Sequence, residues 1–243
     1  MKYISQEYTL HNAFTMMELV MVIVVVGIIS AAIIPRTGSN KLAEAAVQLI
    51  SDIRYTQHLA LVDDKYNPNI PNWYRQRWQL AFSTSSNTLS YMIFSDSISN
   101  KGAYDGNPGA NAIYTDVEVA RNPLNTNLFM IGAANTSFNN YDTSRLTSRL
   151  DIKREYGIEA VKMSGGTSSP VKRVLFDHIG RPYRGSGSST SANPLNSPVD
   201  FVATSTIKIK LCTKKCVGNN ATANNENELI IAIEPETGYA HIL

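Results

Sequence analysis

An uncharged run from Leu19 to Ile34, preceded by Ala13-Phe14-Thr15-Met16-Met17-Glu18, limits what this chain can become more than any other feature. Between Phe14 and Ile34 the only charge is Glu18. A helix closes its own backbone hydrogen bonds, as an apolar setting requires. At about 1.5 Å per residue that helix would be roughly 31 Å long, close to the ~30 Å hydrocarbon thickness of a bilayer. A strand over the largely β-branched Val22-Ile23-Val24-Val25-Val26 would leave donors without acceptors there. The run predicts a membrane-spanning helix.

Glu18 narrows the reading. A carboxylate at the edge of an apolar helix calls for a cationic partner. A cut between Ala13 and Phe14 would create an α-amine one helical turn before Glu18, within reach of the same chain or a neighbouring copy. Pro35 ends the run and predicts a helix kink.

The combination Ala13-Phe14-Thr15-x-x-Glu18, apolar run and Pro35 resembles the class III signal of type IV pilins and of type II secretion pseudopilins. That resemblance implies a leader peptide over 1–13, removed by prepilin peptidase between Ala13 and Phe14, and N-methylation of Phe14. It further implies that 14–35 form a transmembrane helix, held in inner-membrane lipid before it becomes filament core. Glu18 is then the subunit-assembly charge. A plain signal anchor, or a secretory signal cut near Ser30-Ala31-Ala32, is the simpler reading. Neither needs Glu18 at this spacing.

The formal net charge of +2 names no partner. Lys2 before the run and Arg36 and Lys41 after it give little orientation signal. Orientation comes from the resemblance, which implies a single-pass protein of the bacterial inner membrane. Its C-terminal domain would lie in the periplasm, assembled in a pseudopilus or pilus. Two cysteines fit an oxidising compartment.

Leu42, Ala46, Leu49, Ile53, Thr56 and Ala60, broadened by Ala45, Ile50 and Leu61, make one apolar stripe, so 36–65 read as an amphipathic helical half. Lys41, Glu44, Gln48, Asp52 and Gln57 fall off the stripe. If Pro35 interrupts the helix, Asn40 is the N-cap of a second one; otherwise one bent helix of roughly 74 Å runs from Phe14 to Val62. Asn67-Pro68-Asn69-Ile70-Pro71 ends the helical pattern.

From Trp73 the period becomes two. Trp78, Leu80 and Phe82, then Leu89, Tyr91 and Ile93, predict a hairpin around Ser83–Thr88. Loops are expected at Asn100–Ala112 and Gly185–Pro198. Further strands are expected at Ile113–Val119, Asn127–Ile131, Arg149–Ile152, Arg173–Asp177, Thr206–Cys212, Glu228–Glu234 and Tyr239–Leu243. Gly157–Met163 reads as a strand or a short helix.

The Leu49-Ile50-Ser51-Asp52-Ile53-Arg54-Tyr55 helix, the Phe176-Asp-x-x-Gly180-Arg181-Pro182 turn and the Pro235-x-Thr-Gly238 hairpin are similar to minor pseudopilins of the GspH/FimT type. The implied fold class is α+β and pilin-like. A long N-terminal helix, transmembrane plus amphipathic, would pack on antiparallel β-sheet, with 66–243 the periplasmic β-rich domain. The implied function is a minor, structural pseudopilus subunit near the filament tip. Its partners would be other pseudopilins or minor pilins through the N-terminal helix, prepilin peptidase, and secreted cargo. The alternatives are a minor type IV pilin that takes up DNA, and a membrane-anchored binding domain that never polymerises.

Cys212 and Cys216 read as a disulfide at a hairpin tip or as free thiols; two cysteines alone do not make a zinc site. Residues 149–216 hold twelve basic against five acidic residues. Arg181, Arg184, Lys208, Lys210, Lys214 and Lys215 are candidate nucleic-acid contacts, or simply a solvated sheet face. Lys208 and Lys210 alternate with Ile207 and Ile209 and so share one strand face. Asn219–Glu228 lacks the ligand spacing of a Ca²⁺ loop, so no metal and no cofactor are expected. His11, His58, His178 and His241 lack a nucleophile motif, and no catalytic residues are expected.

Overall fold

The computed structural model describes residues 15–33, 40–84, 88–97, 104, 106, 108, 117–133, 143–166, 172–184 and 197–243. The chain divides into two compact units, Met1–Ser39 and Asn40–Leu243. In the first, α1 spans Met16–Ile33. Its 18 described residues rise about 27 Å. Among the described residues no helix is long and apolar enough to cross a membrane. This overturns the transmembrane anchor, and with it the single-pass inner-membrane and periplasmic localisation.

The pilin-like fold class fails as well. In the second unit α2 spans Lys41–Val62 and starts afresh, its N-cap Asn40 accepting the Ala43 N–H at 3.2 Å. A capped start satisfies donors that a continuous helix would have passed to the preceding turn, so the roughly 74 Å rod does not form. Ala13, Phe14 and Pro35 lie outside the described residues. The described architecture is mixed: three helices, and ten strands in three antiparallel sheets.

In chain order the strands are β1 Trp78–Thr84, β2 Leu89–Ser95, β3 Arg121–Asn122, β4 Asn125–Phe129, β5 Ala160–Ser164, β6 Arg173–Phe176, β7 Pro182–Tyr183, β8 Ile207–Cys212, β9 Glu228–Ile233 and β10 Ala240–Ile242. One sheet has the order β2-β1-β6-β7, another β10-β9-β8-β5, and β3 pairs with β4. The hairpin register runs from Trp78↔Ser95 to Thr84↔Leu89. Alternation explains one face of β2, where Leu89, Tyr91 and Ile93 enter the main core with the α2 stripe. The other face is buried too, because Met92 and Phe94 pack on Val119, Phe129 and Ile131. Of the expected stripe on α2 only Leu61 stays exposed.

The strand expected at Arg149–Ile152 is instead a 3₁₀ turn, Ser148–Leu150, followed by the short helix α3, Ile152–Tyr156. Asp151 explains the switch: its side chain accepts the Arg154 N–H at 3.2 Å as an N-cap, a bond a strand would not offer. Residues 113–116 lie outside the described residues, and Val119 pairs with Phe94 as an isolated bridge. Expected loop 185–196 also lies outside them.

Gln57 on α2 joins two turns from different sheets. Its Nε2 donates to Gly180 O at 2.9 Å and Thr237 O at 2.8 Å. Gly180 and Gly238 both sit at positive φ, and a Cβ on Gly238 would stand 2.4 Å from Gly180 O. Only glycine fits there.

Candidate functional site: an apolar helix and the charge centres beneath the basic segment

α1 reads Met-Met-Glu-Leu-Val-Met-Val-Ile-Val-Val-Val-Gly-Ile-Ile-Ser-Ala-Ala-Ile, apolar on every side. Such a helix is a buried helix by composition. Yet Met16 is 83 % exposed, and no large apolar side chain from there to Ile29 falls below Val25 at 49 %. Thr15 and Glu18 close its start reciprocally. Thr15 Oγ1 accepts the Glu18 N–H at 3.2 Å, while Glu18 Oε2 accepts the Thr15 N–H at 3.0 Å and the Thr15 hydroxyl at 3.1 Å. This is a capping box, and Thr-x-x-Glu before an apolar run was its sequence signal. The Thr15 amide and hydroxyl together hold the Glu18 carboxyl below its ordinary value. Both described contacts use Oε2.

The sequence pointed to six basic residues as one exposed set. Four of them are engaged with protein oxygens. Lys210 is fully buried: its Nζ meets Glu228 Oε2 at 2.8 Å and donates to Val217 O at 2.7 Å and Asn219 O at 3.1 Å. Lys208 Nζ donates to Ala221 O at 3.3 Å. The parity expectation was right, since both share the face of β8 opposite Ile207 and Ile209, but the β8–β9 connection folds back over that face. Burial raises the Glu228 carboxyl, and the Lys210 ammonium with the Val217 and Asn224 N–H groups outweighs it, bringing it down to about 2. Cys212 and Cys216 are joined in a disulfide at the start of the same connection. Replacing both by serine is expected to cost about 2 kcal/mol or less, because the closed loop is short. Thermal unfolding with and without reductant reads this.

Arg181 closes on Asp177, Nε to Oδ2 at 2.8 Å, and Tyr183 donates to the same oxygen at 3.0 Å. Asp177 Oδ1 accepts the N–H groups of Ile179 and Arg181, so this carboxylate organises its own turn. Arg184 is buried and donates to Gly165 O at 2.6 Å and Met163 O at 3.2 Å. Lys214 and Lys215 remain exposed beside the disulfide. Two exposed lysines make a poor phosphate track.

A further centre was not foreseen. Asp52, expected off the apolar stripe, is 2 % exposed. Its Oδ2 accepts from Tyr91 OH at 2.6 Å, Arg149 Nη1 at 2.8 Å and Gln48 Nε2 at 3.0 Å. The cluster ties α2 to β2 and to the Ser148–Leu150 turn. Burial lifts the Asp52 carboxyl above its ordinary value, partly countered by the Tyr91 hydroxyl and the Arg149 charge.

Among the described residues no group of three or more His, Cys, Asp or Glu could hold a metal ion. Among the described residues His178 stands 4.0 Å from Asp64, and His241 pairs with Glu234 at 2.9 Å. These charge centres build turns and cross-ties between elements. No family model, curated protein or solved structure matches the chain.

Proposed function

We propose that this chain is a non-catalytic, minor subunit of a pseudopilus-like filament, in which α1 packs against the same helix of neighbouring subunits. The observation that carries this reading is α1 itself: apolar on every side, with its single charge folded into its own cap. Burial is worth about 25 cal/mol per Å² of apolar surface, so a helix of this composition gains most when covered. Among the described residues no helix is long and apolar enough to cross a membrane, and in this reading the same helix of neighbouring copies supplies the cover. In this reading Glu18 meets the Phe14 amine of the next copy, and prepilin peptidase is the enzyme that would free and methylate that amine. The β-rich unit then meets other minor subunits or cargo.

Co-expressed with a prepilin peptidase, the chain is expected to yield a product beginning at N-methylated Phe14 by N-terminal mass spectrometry. A product beginning elsewhere would remove the amine from Glu18's reach and the reading with it.

A further inference from the structure

We infer that a groove between the β1–β2 pair, at Thr84 and Thr88, and edge strand β5 binds a small phosphate-bearing molecule through Lys162, Lys172 and Thr88. This site is independent of the filament reading. The groove encloses about 250 Å³, with Thr84 and Thr88 on the hairpin side and Lys153, Lys162 and Lys172 around it. Lys153 is committed to Glu159 at 2.9 Å. Among the described residues Glu159 is the only carboxylate in the lining, so within that set Lys162 and Lys172 face the groove without an acidic partner there. Thr88 Oγ1 is buried with no hydrogen-bond partner among the described residues.

The three groups belong to different elements, so the fold rather than a local sequence run brings them together. Lys162 lies on β5, Thr88 immediately precedes β2, and Lys172 immediately precedes β6. Burial, and then the neighbouring Lys162 charge, lower the Lys172 ammonium below its ordinary value. Converging ammonium groups repel each other, and an anion between them turns that repulsion into attraction. A phosphate carries close to two charges and offers acceptors to both lysines and to the threonine hydroxyl. The volume sits just under the ~300 Å³ lower end of small-molecule pockets, which suits a phosphate with a small organic group. Lysine serves here as a point-charge binder that needs no planar fork.

The test titrates the full-length chain, in nonionic detergent, with inorganic phosphate, followed by calorimetry and phosphorus NMR. Saturable binding is expected. Lys172→Ala or Lys162→Ala should weaken it roughly tenfold, the loss of one charge-assisted contact. Lys172→Arg should retain most of it, and Lys214→Ala, outside the groove, should leave it unchanged. If Lys172→Ala fails to fold, Thr88→Val carries the comparison, with a weaker but measurable loss expected. Absence of saturation, or variants that bind as the parent does, would overturn the site. A single-stranded oligonucleotide that binds more tightly than phosphate and depends on the same lysines would overturn the small-molecule assignment; an oligonucleotide without effect supports it.

Discussion

Replacing Arg149 with alanine is expected to destabilise the β-rich unit by about 3 kcal/mol, the low end for breaking a buried ion pair, read by urea unfolding. The low end applies because the Arg149 side chain is 23 % exposed while that of Asp52 is 3 % exposed. The variant leaves Asp52 with Tyr91 and Gln48 as donors but no countercharge. The effect carries a pH signature. The folded Asp52 carboxyl already lies above its ordinary 3.8, chiefly through burial. Below that value both states hold the proton, and the term vanishes. Between 3.8 and the raised folded value the folded state binds the proton more tightly, so stability falls as pH rises through that interval. Loss of Arg149 extends the interval upward. The deficit of the variant should therefore be small in acid and grow toward neutral pH. A deficit equal at every pH would mean that the Asp52 charge plays no part. Asp52→Asn in the Arg149→Ala background should recover part of the loss, since it removes the orphaned charge.

A glutamate at Val25, mid-way along α1, is expected to abolish self-association, weakening it at least ~100-fold, equivalent to about 2.7 kcal/mol. Burying an unpaired carboxylate in a helix–helix contact costs more than such a contact returns. Val25→Ala removes only methyl groups and should weaken association far less. Sedimentation velocity separates the two, with circular dichroism reporting that the helical and sheet content is kept. Equal sedimentation of Val25→Glu and the parent would show that α1 is not the contact.

What the sequence made legible follows its periodicities. The α2 stripe, the β1–β2 hairpin, and the strands at Arg173–Phe176, Ile207–Cys212 and Glu228–Ile233 all carry a period that local chemistry enforces. The failures arise where a side chain competes with the period. Asp151 caps a helix where β-propensity suggested a strand. The start of α2 is not among the failures: Asn40 is the N-cap that the sequence offered as one of two options, and the continuous rod was the other. Thr15 and Glu18 bond each other, so the carboxylate expected to need a cationic partner finds neutral donors one turn away. Lys210 and Asp52 look like solvent-facing charges because their partners, Glu228 and Arg149, lie at sequence separations that no pattern reveals. Parity put Lys210 on the correct face; it could not show that residues 213–227 cover that face. The same long-range assembly makes the lysine groove invisible in the chain order.

The most direct measurement is cysteine cross-linking along α1. The chain's two cysteines are tied to each other, so Val24→Cys would provide a single free thiol. Under mild oxidation the expected product is a covalent dimer joined through α1, lost when Val25→Glu is added. A thiol that stays monomeric at every protein concentration, while remaining reactive to a small alkylating reagent, would contradict assembly through this helix.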